Sequence, residues 1–496
     1  MKKILSYIAA ISLSVAMTSC SDFLTEASQD EIRPTNVSDY RELINGEVYN
    51  KFNNQAVHTY LDIMTDDCTE FAKKASFGAD TRNAGNGYFT WQQSPELQVS
   101  GVLNDDGAWA EYYHHILISN MVLYDVDNLN GSDAEKALVK AEAYMVRAYA
   151  YYMLVNLYGE PYDPATADKA LGVPINNLLG AERKNFKRAS VAEIYDQIIK
   201  DVTAALEQFE IGGGNETTFR WNENAANLFI ARVYLYMQNW DKAIEHVDRL
   251  LAVKANLWNL NEKINGGADE ADLYFLCSRN PEILFSFGYY YVNYFASGAK
   301  GAYPASPSLR AEYASGDLRC GPTNAAYIRY LGSTLFGGGK RYCPYKFDDT
   351  STGEHGRAFR TAEAYLIRAE AYSHTSQYTK ALDDVNYLRS NRLTPEAFAA
   401  DGGRLVSTSQ DEIIQMVRSE RRREMCFEQL RWFDLRRWDR PSIEHTYTPD
   451  LANTKVFFTY RLEQNDPAYT LPVPKRVLER DAELVDIQRP ERAPIE

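Results

Sequence analysis

The chain has 496 residues, of which 45% are hydrophobic and 24% charged, so its composition is that of a folded globular protein and excludes a largely disordered chain. The length suggests about two to four domains. The 68 acidic residues outnumber the 53 Lys and Arg residues, which gives a net charge of −15. This balance argues against a nucleic-acid partner, because phosphate binding needs clustered basic side chains.

The N-terminus has the pattern of a secretory signal. Lys2 and Lys3 precede a short apolar run from Ile4 to Met17, and small residues lead to Cys20. The run is too short to span a membrane. We therefore expect a signal peptide over residues 1–19. Small residues directly before a cysteine resemble a bacterial lipobox, which implies cleavage before Cys20 and lipid on its thiol; a plain secretory signal with an incidental cysteine is the alternative.

Helical repeats dominate the next part of the chain. Residues 141–151 and 362–372 share the same Ala, Glu, Tyr and Arg positions in one register. Residues 221–254 form a 34-residue unit of helix, short turn and helix, which is the length and layout of a tetratricopeptide-type repeat. Serines with a glutamate three residues later predict helix starts by the capping-box pattern, at Ser132, Ser190 and Ser409. The chain is therefore predicted to be mostly α-helical, with tetratricopeptide-like repeats.

A different composition begins near residue 257 and continues to residue 356. Glycine and proline interrupt the helical pattern there, yet 15 of the 63 residues from Phe285 to Phe347 are aromatic, against 13% for the whole chain. A second irregular stretch runs from Lys73 to Pro95. Long loops in compact proteins usually carry function, so both stretches are candidates for ligand binding.

Catalytic and metal-binding motifs are missing from the sequence. It contains no nucleotide-binding P-loop, no zinc-protease motif and no hydrolase nucleophile elbow. The six cysteines have no metal-ligand spacing, so we expect no cofactor and no zinc, whereas calcium binding is left open. Cys320 and Cys343 either form a disulfide or remain buried thiols. Asp66, Asp67 and Glu70 have a weak cation-binding pattern, but carboxylates near a helix start are more common as helix-dipole partners.

The segment from Glu420 to Trp438 is rich in arginine. Its acidic and basic residues recur every three to four positions, as in ion pairs along a helix. We interpret it as a helix with a structural ion-pair network and not as a nucleic-acid site.

This segment resembles the C-terminal hallmark of the SusD/RagB family of outer-membrane nutrient-binding lipoproteins. Gln429 departs from the pattern, since the family usually has glycine there, and the local turn is expected to differ. The other segments that carry the resemblance are residues 20–24, Trp109 with Tyr112, Tyr113, Ile116 and Asn120, residues 141–159, residues 190–202, residues 280–285 and residues 471–474.

The resemblance implies a fold and a function. The fold is a right-handed superhelix of four tetratricopeptide-type units with a loop-rich ligand-binding lobe. In this chain we expect an N-terminal helical domain over residues 20–256, the lobe over residues 257–356 and a C-terminal helical region over residues 357–496. The function is to bind glycans, or in some members peptides, at the cell surface and to pass them to a TonB-dependent, SusC-like porin, without catalysis. An all-helical glycosidase and a tetratricopeptide-type protein scaffold are the alternatives from other classes.

The candidate ligand site combines aromatic and polar side chains. Sugars present C–H faces that pack on aromatic rings and hydroxyls that need hydrogen-bond partners. Alternation along an extended segment puts Tyr290 and Tyr294 on one face, and we expect this pair to form the platform. The predicted ligand-binding residues are Arg82, Asn83, Asn86, Trp91, Tyr290, Tyr294 and Tyr303.

Overall fold

The structure is a computed structural model that describes most of the chain downstream of the predicted signal. The described residues are 34–49, 58–72, 78–103, 107–180, 185–215, 217–265, 274–287, 302–331, 339–347 and 357–495. The predicted signal peptide, Cys20, Tyr290 and Tyr294 lie outside them.

Seven helices form the first part of the described chain. Their bounds are Val37–Ile44 (α1), Gly78–Phe89 (α2), Ala108–Asp125 (α3), Asp133–Tyr158 (α4), Val191–Gly212 (α5), Glu223–Tyr236 (α6) and Trp240–Leu251 (α7). A π-helical turn, Asn45–Tyr49, extends α1, and a 3-10 turn, Val126–Asn128, follows α3.

Capping boxes start α4 and α5, as the sequence predicts. The Ser132 hydroxyl accepts a hydrogen bond from the Glu135 amide at 3.2 Å, and the Glu135 carboxylate accepts one from the Ser132 amide at 2.8 Å. The same reciprocal pair joins Ser190 and Glu193. These bonds satisfy amides that the first helical turn leaves without intrahelical partners.

The later helices and strands complete the fold. The helices are Leu260–Asn265 (α8), Pro307–Ala311 (α9), Thr361–His374 (α10), Tyr378–Ser390 (α11), Pro395–Ala399 (α12), Gln410–Met425 (α13), Arg431–Arg437 (α14) and Lys475–Leu478 (α15), with a 3-10 turn at Pro467–Tyr469. The strands are Ile283–Phe287 (β1), Cys320–Gly321 (β2), Ile328–Leu331 (β3), Arg341–Pro344 (β4), Arg357–Arg360 (β5), Ile443–Tyr447 (β6) and Phe458–Leu462 (β7).

The predicted repeat is confirmed by two equivalent helix pairs, α6 with α7 and α10 with α11. Their turns pass through Gln238 and Ser376, which lie 138 positions apart in the sequence and both have φ of 60°. Ala231 and Ala369 occupy equivalent positions and are fully buried, so that neighbouring helices approach closely. The described chain is mostly helical, and its paired helices form a tetratricopeptide-like, right-handed superhelix.

The aromatic-rich lobe contains short strands as well as loops. Strands β2, β3 and β4 form one small sheet, in which β3 and β4 are antiparallel. Strand β1 pairs with β5, directly before α10, and thereby joins the lobe to the second repeat. Phe285 and Tyr327 are fully buried in the same apolar cluster as residues of α4 and α6. The predicted boundaries after residues 256 and 356 remain predictions.

The arginine-rich segment differs from the single helix that its spacing predicts. Phe427 and Gln429 have φ of 59° and 62°, so the chain turns between α13 and α14. Glycine adopts this left-handed conformation without steric cost. This is a physical reason why the family usually has glycine at the position of Gln429. The Gln429 side chain donates to the His58 carbonyl at 3.3 Å and so adds a contact that glycine lacks.

The predicted ion-pair network is present, but most partners come from other elements. Glu424 is fully buried and binds Arg319, Arg360 and Arg392, at shortest distances of 3.0, 2.6 and 3.0 Å. Burial by itself raises the pKa of Glu424, and the three arginines outweigh it and hold that pKa well below its ordinary value. Pairs within one helix, such as Arg423 with Glu420, are the minority. The network therefore joins α13 to the lobe, to β5 and to the segment that follows α11.

Candidate ligand-binding surface

Helix α2 carries three of the predicted ligand-binding residues. Arg82 and Asn86 are four positions apart, and Asn83 and Asn86 three, so the three side chains lie on one side of the helix. Asn83 and Asn86 are half-buried, whereas Arg82 is only 4% exposed. The two half-buried asparagines carry amide groups, which both donate and accept hydrogen bonds.

Arg82 is held by contacts with three distant segments. Its Nε donates to the Glu70 carboxylate, and its guanidinium lies 4.1 Å from the centre of the Tyr447 ring. The Tyr303 hydroxyl donates to the Arg82 carbonyl at 2.8 Å, across 221 positions of sequence. The structure thus brings together Arg82 and Tyr303, two predicted site residues. Glu70 and Tyr447 are the partners that sequence reasoning missed, since no motif connects segments so far apart.

Trp91 and Tyr303 lie beneath α2 and are fully buried. The Trp91 Nε1 donates to the Met64 carbonyl at 2.9 Å, and its ring stacks on His445 at 4.4 Å between centres. The Tyr303 ring packs on Phe89 at 4.5 Å. In this structure both rings are packed in the protein interior, and neither ring has a face exposed to solvent. Their contact with a ligand stays a prediction.

An aromatic pair with one exposed ring lies on the small sheet of the lobe. Tyr330 of β3 is 40% exposed and lies opposite Tyr342 of β4, with 4.9 Å between the ring centres. The guanidinium of Arg310 lies 4.5 Å from the centre of the Tyr342 ring, and the Lys340 ammonium 5.9 Å from that of Tyr330. The aromatic content of the lobe was the only signal in the sequence for this pair, and it did not single out Tyr330.

Backbone pairing connects this aromatic pair to α2. The Ala305 amide donates to the Tyr342 carbonyl at 2.9 Å, and Ala305 also forms a bridge with Cys68. The chain continues from Cys68 to Glu70, the partner of Arg82. Nearby, the Arg341 guanidinium lies 4.5 Å from the centre of the Phe71 ring. Backbone pairing therefore connects the Tyr330–Tyr342 sheet of the lobe to the segment that contains Glu70, the partner of Arg82 on α2.

The lobe cysteines Cys320 and Cys343 are free thiols, so no disulfide joins them. Burial raises the pKa of Cys320 to about 12. Among the described residues, no group of three or more His, Cys, Asp and Glu is arranged to hold a metal ion. No helix in the described ranges is both long and apolar enough to cross a membrane.

Comparison with known families gives two matches along the chain. A family model described as starch-binding and associating with the outer membrane matches residues 22–235, and the SusD family model matches residues 321–491. Together they cover most of the chain in the order that the sequence motifs predict. The chain belongs to the SusD/RagB family.

Individual relatives agree with this assignment. A SusD-like protein of Formosa agariphila is 23% identical over 428 residues, which are 72% of this chain and 79% of the relative. The crystal structure of a SusD superfamily protein from Bacteroides vulgatus has a TM-score of 0.69 at 18% identity and covers 92% of this chain and 100% of its own. A SusD-like carbohydrate binding protein from the same species has a TM-score of 0.66 at 19% identity, with 92% and 98% covered.

Proposed function

We propose that this protein is a cell-surface lipoprotein that binds glycans and delivers them to a SusC-like, TonB-dependent transporter in the outer membrane. Family membership supports the class of protein, and a solved structure of the same fold is described as carbohydrate binding. The observation that carries glycan binding on this chain is the 40% exposed Tyr330 ring, which packs on Tyr342 in the small sheet of the lobe. The protein binds its ligand without catalysis.

The proposed binding surface has a platform and a polar edge. The Tyr330 ring, supported by Tyr342, offers a face for the C–H side of a sugar ring, and Asn83 and Asn86 offer hydrogen bonds to its hydroxyls. Tyr290 and Tyr294 remain proposed as a second platform on the same lobe. The Tyr303 hydroxyl holds the α2 backbone at Arg82, and ligand contacts of Arg82, Trp91 and Tyr303 remain part of the proposal.

A glycan array on the soluble mature chain tests this function. We expect binding of an oligosaccharide or polysaccharide with no release of shorter products, which hydrolysis would generate. Binding of peptides alone, or binding of nothing on an array that also carries peptides, would overturn the glycan assignment. Cleavage of a bound glycan would revive the glycosidase alternative.

Variants locate the site once a glycan is identified. Tyr330→Ala should weaken binding about two- to tenfold, because stacking on an aromatic ring contributes roughly 0.5–1.5 kcal/mol. The Tyr290→Ala/Tyr294→Ala double variant should abolish binding with little change in melting temperature. Tyr124→Ala is the matched control, since Tyr124 is 71% exposed on α3. Equal binding by Tyr330→Ala and the control would remove Tyr330 from the site.

A further inference from the structure

The hairpin of strands β6 and β7 ends in three exposed apolar side chains. Val456, Phe457 and Phe458 are consecutive in the sequence and are 45%, 59% and 41% exposed. A single exposed apolar residue is ordinary, whereas adjoining exposed apolar side chains indicate a contact surface. We call residues 453–458 the hairpin tip.

The backbone of this hairpin is ordered by regular pairing. Five consecutive residue pairs join β6 to β7, and the pair nearest the tip is Tyr447 with Phe458. Within the tip, the Val456 amide donates to the Asn453 carbonyl at 3.1 Å. Phe457 directly precedes Phe458 in the extended chain, so the two rings point to opposite faces of the hairpin. A ring on an ordered backbone loses little conformational freedom when a ligand binds, so it suits a binding platform.

The hairpin is fixed against α2 by two contacts. Phe458 lies directly opposite Tyr447, so these two side chains lie on the same face of the hairpin. The centre of the Tyr447 ring lies 4.1 Å from the Arg82 guanidinium of α2. The Glu70 carboxylate accepts hydrogen bonds from both Arg82 and the Thr448 amide, the latter at 2.7 Å. Phe458 is therefore one side chain removed from α2, the helix of the proposed polar edge.

An extended ladder joins residues 68–71, which include the glutamate that anchors the hairpin, to the sheet that carries Tyr330. The Phe71 amide donates to the Ala302 carbonyl at 2.9 Å, so residues 68–71 lie alongside residues 302–305. Residues 302–305 are in turn hydrogen-bonded to β4, which pairs with β3. Neighbouring extended segments lie about 4.8 Å apart, so β3 and residues 68–71 are about 14 Å apart.

The exposed Tyr330 ring and the anchor of the hairpin lie on the same face of this ladder. Successive side chains of an extended segment point to opposite faces. The Phe71 ring lies beside the Arg341 guanidinium at 4.5 Å, so these two side chains share one face. Glu70 precedes Phe71 and Tyr342 follows Arg341, so both lie on the opposite face, where Tyr330 packs on Tyr342. One face therefore carries Tyr330 at one end and, at the other end, the Glu70 contacts that position the hairpin.

The hairpin tip also offers hydrogen-bonding groups. Asn453, Thr454 and Lys455 are exposed and directly precede the apolar residues. A sugar needs an aromatic face for its C–H groups and polar partners for its hydroxyls. The tip combines both, so a glycan fits it better than a purely apolar partner does.

We propose that Phe458 forms a further aromatic platform of the glycan-binding surface, and that the ligand is a saccharide chain long enough to contact Phe458 and Tyr330 together. This inference rests on the proposed function, which supplies the glycan as ligand. The separation across the ladder is too large for one sugar ring to contact both platforms. Once a chain is bound at one platform, its contact with the other is intramolecular, so affinity rises with chain length.

The test uses the glycan that the array identifies, cut by partial acid hydrolysis into fragments from the disaccharide upward, and measures their affinities for the mature chain by calorimetry. For the wild type, affinity should rise with fragment length and then level off. Phe458→Ala should weaken binding of the longest fragments about two- to tenfold and should flatten the rise with length, because one ring contact is lost. Phe458→Tyr keeps the ring and should behave like wild type. Phe457→Ala is the matched control, since this ring is 59% exposed and points to the other face.

The outcomes separate this inference from the function on which it rests. A flattened length dependence for Phe458→Ala alone supports the platform. If the wild type binds no glycan on the array, the proposed function fails. If the wild type binds a glycan and Phe458→Ala equals it at every fragment length, only the platform is overturned. Equal losses for Phe458→Ala and Phe458→Tyr, or for Phe458→Ala and Phe457→Ala, would assign the effect to folding of the hairpin and would also overturn the inference.

Discussion

Asp62 is a buried carboxyl group whose protonation links stability to pH. It is 2% exposed, one of its oxygens accepts from the Gln429 amide at 3.3 Å, and the other has no partner among the described residues. Burial, with a further contribution from Asp67, raises its pKa from 3.8 to about 8. The folded chain therefore keeps a proton there that the unfolded chain loses above about pH 4. The stabilisation from this group is complete below pH 4 and is lost as the pH rises toward 8.

We predict that Asp62→Asn stabilises the protein at pH 8 and flattens this pH dependence. The wild-type free energy of unfolding should fall by about 1.4 kcal/mol per pH unit more steeply than that of the variant between pH 5 and 7. Denaturant unfolding at a series of pH values measures the difference. Parallel profiles for the two proteins would show that Asp62 is ionised in the folded state. Asp66→Asn is a contrasting control, because the pKa of Asp66 is lowered: burial raises it, but Arg431 outweighs burial.

Two members of the ion-pair network should differ in their contribution to stability. Glu424→Gln leaves three fully buried arginines short of a counter-charge and should cost about 3–5 kcal/mol. Arg431→Ala removes a two-bond pair with Asp66 that is partly exposed, and Asp66 keeps Arg422 at 3.1 Å, so its cost should be smaller. Thermal or denaturant unfolding of both variants checks the order. A larger loss for Arg431→Ala would place the critical charge in α14 and not in α13.

At the scale of elements, the two repeat turns offer a test of equivalence. Gln238 and Ser376 are exposed and left-handed at matching positions of the two helix pairs. Gln238→Val and Ser376→Val should each destabilise the protein by about 1–2 kcal/mol, because a β-branched side chain clashes with the backbone in this conformation. The glycine variants at both positions are the controls and should lose no stability. If valine is tolerated at one turn only, the two units are not structurally equivalent.

At the scale of the whole molecule, the proposed membrane anchoring depends on one residue, Cys20, which lies outside the described ranges. Lipid on Cys20 would hold the mature chain at the outer membrane without a spanning segment. We predict that Cys20→Ala releases the protein into the soluble fraction with its fold intact, as judged by glycan binding and melting temperature. Fractionation of cells that express each form measures this. Membrane association of the variant equal to that of wild type would contradict lipid anchoring through Cys20.

Local features of the chain were predictable because their causes are local. Ser132 with Glu135, and Ser190 with Glu193, are close in sequence, so their capping bonds follow from spacing alone. At Ser409 the prediction held only in part: the hydroxyl caps the Glu412 amide, but the Glu412 carboxylate binds the Ser407 hydroxyl instead. A neighbouring side chain that the motif does not include decided that contact.

The sequence by itself determined the helical repeats, the family and the candidate lobe, whereas the tertiary structure decided which side chains are exposed there. The periodicity of small and aromatic residues specifies paired helices whatever surrounds them. The exposure of a ring depends on neighbours hundreds of positions away: Trp91 is buried against His445, whereas Tyr330 stays exposed beside Tyr342. The arginine partners of Glu424 were decided in the same way. Burial and charge pairing are properties of the packed molecule, and no single segment contains them.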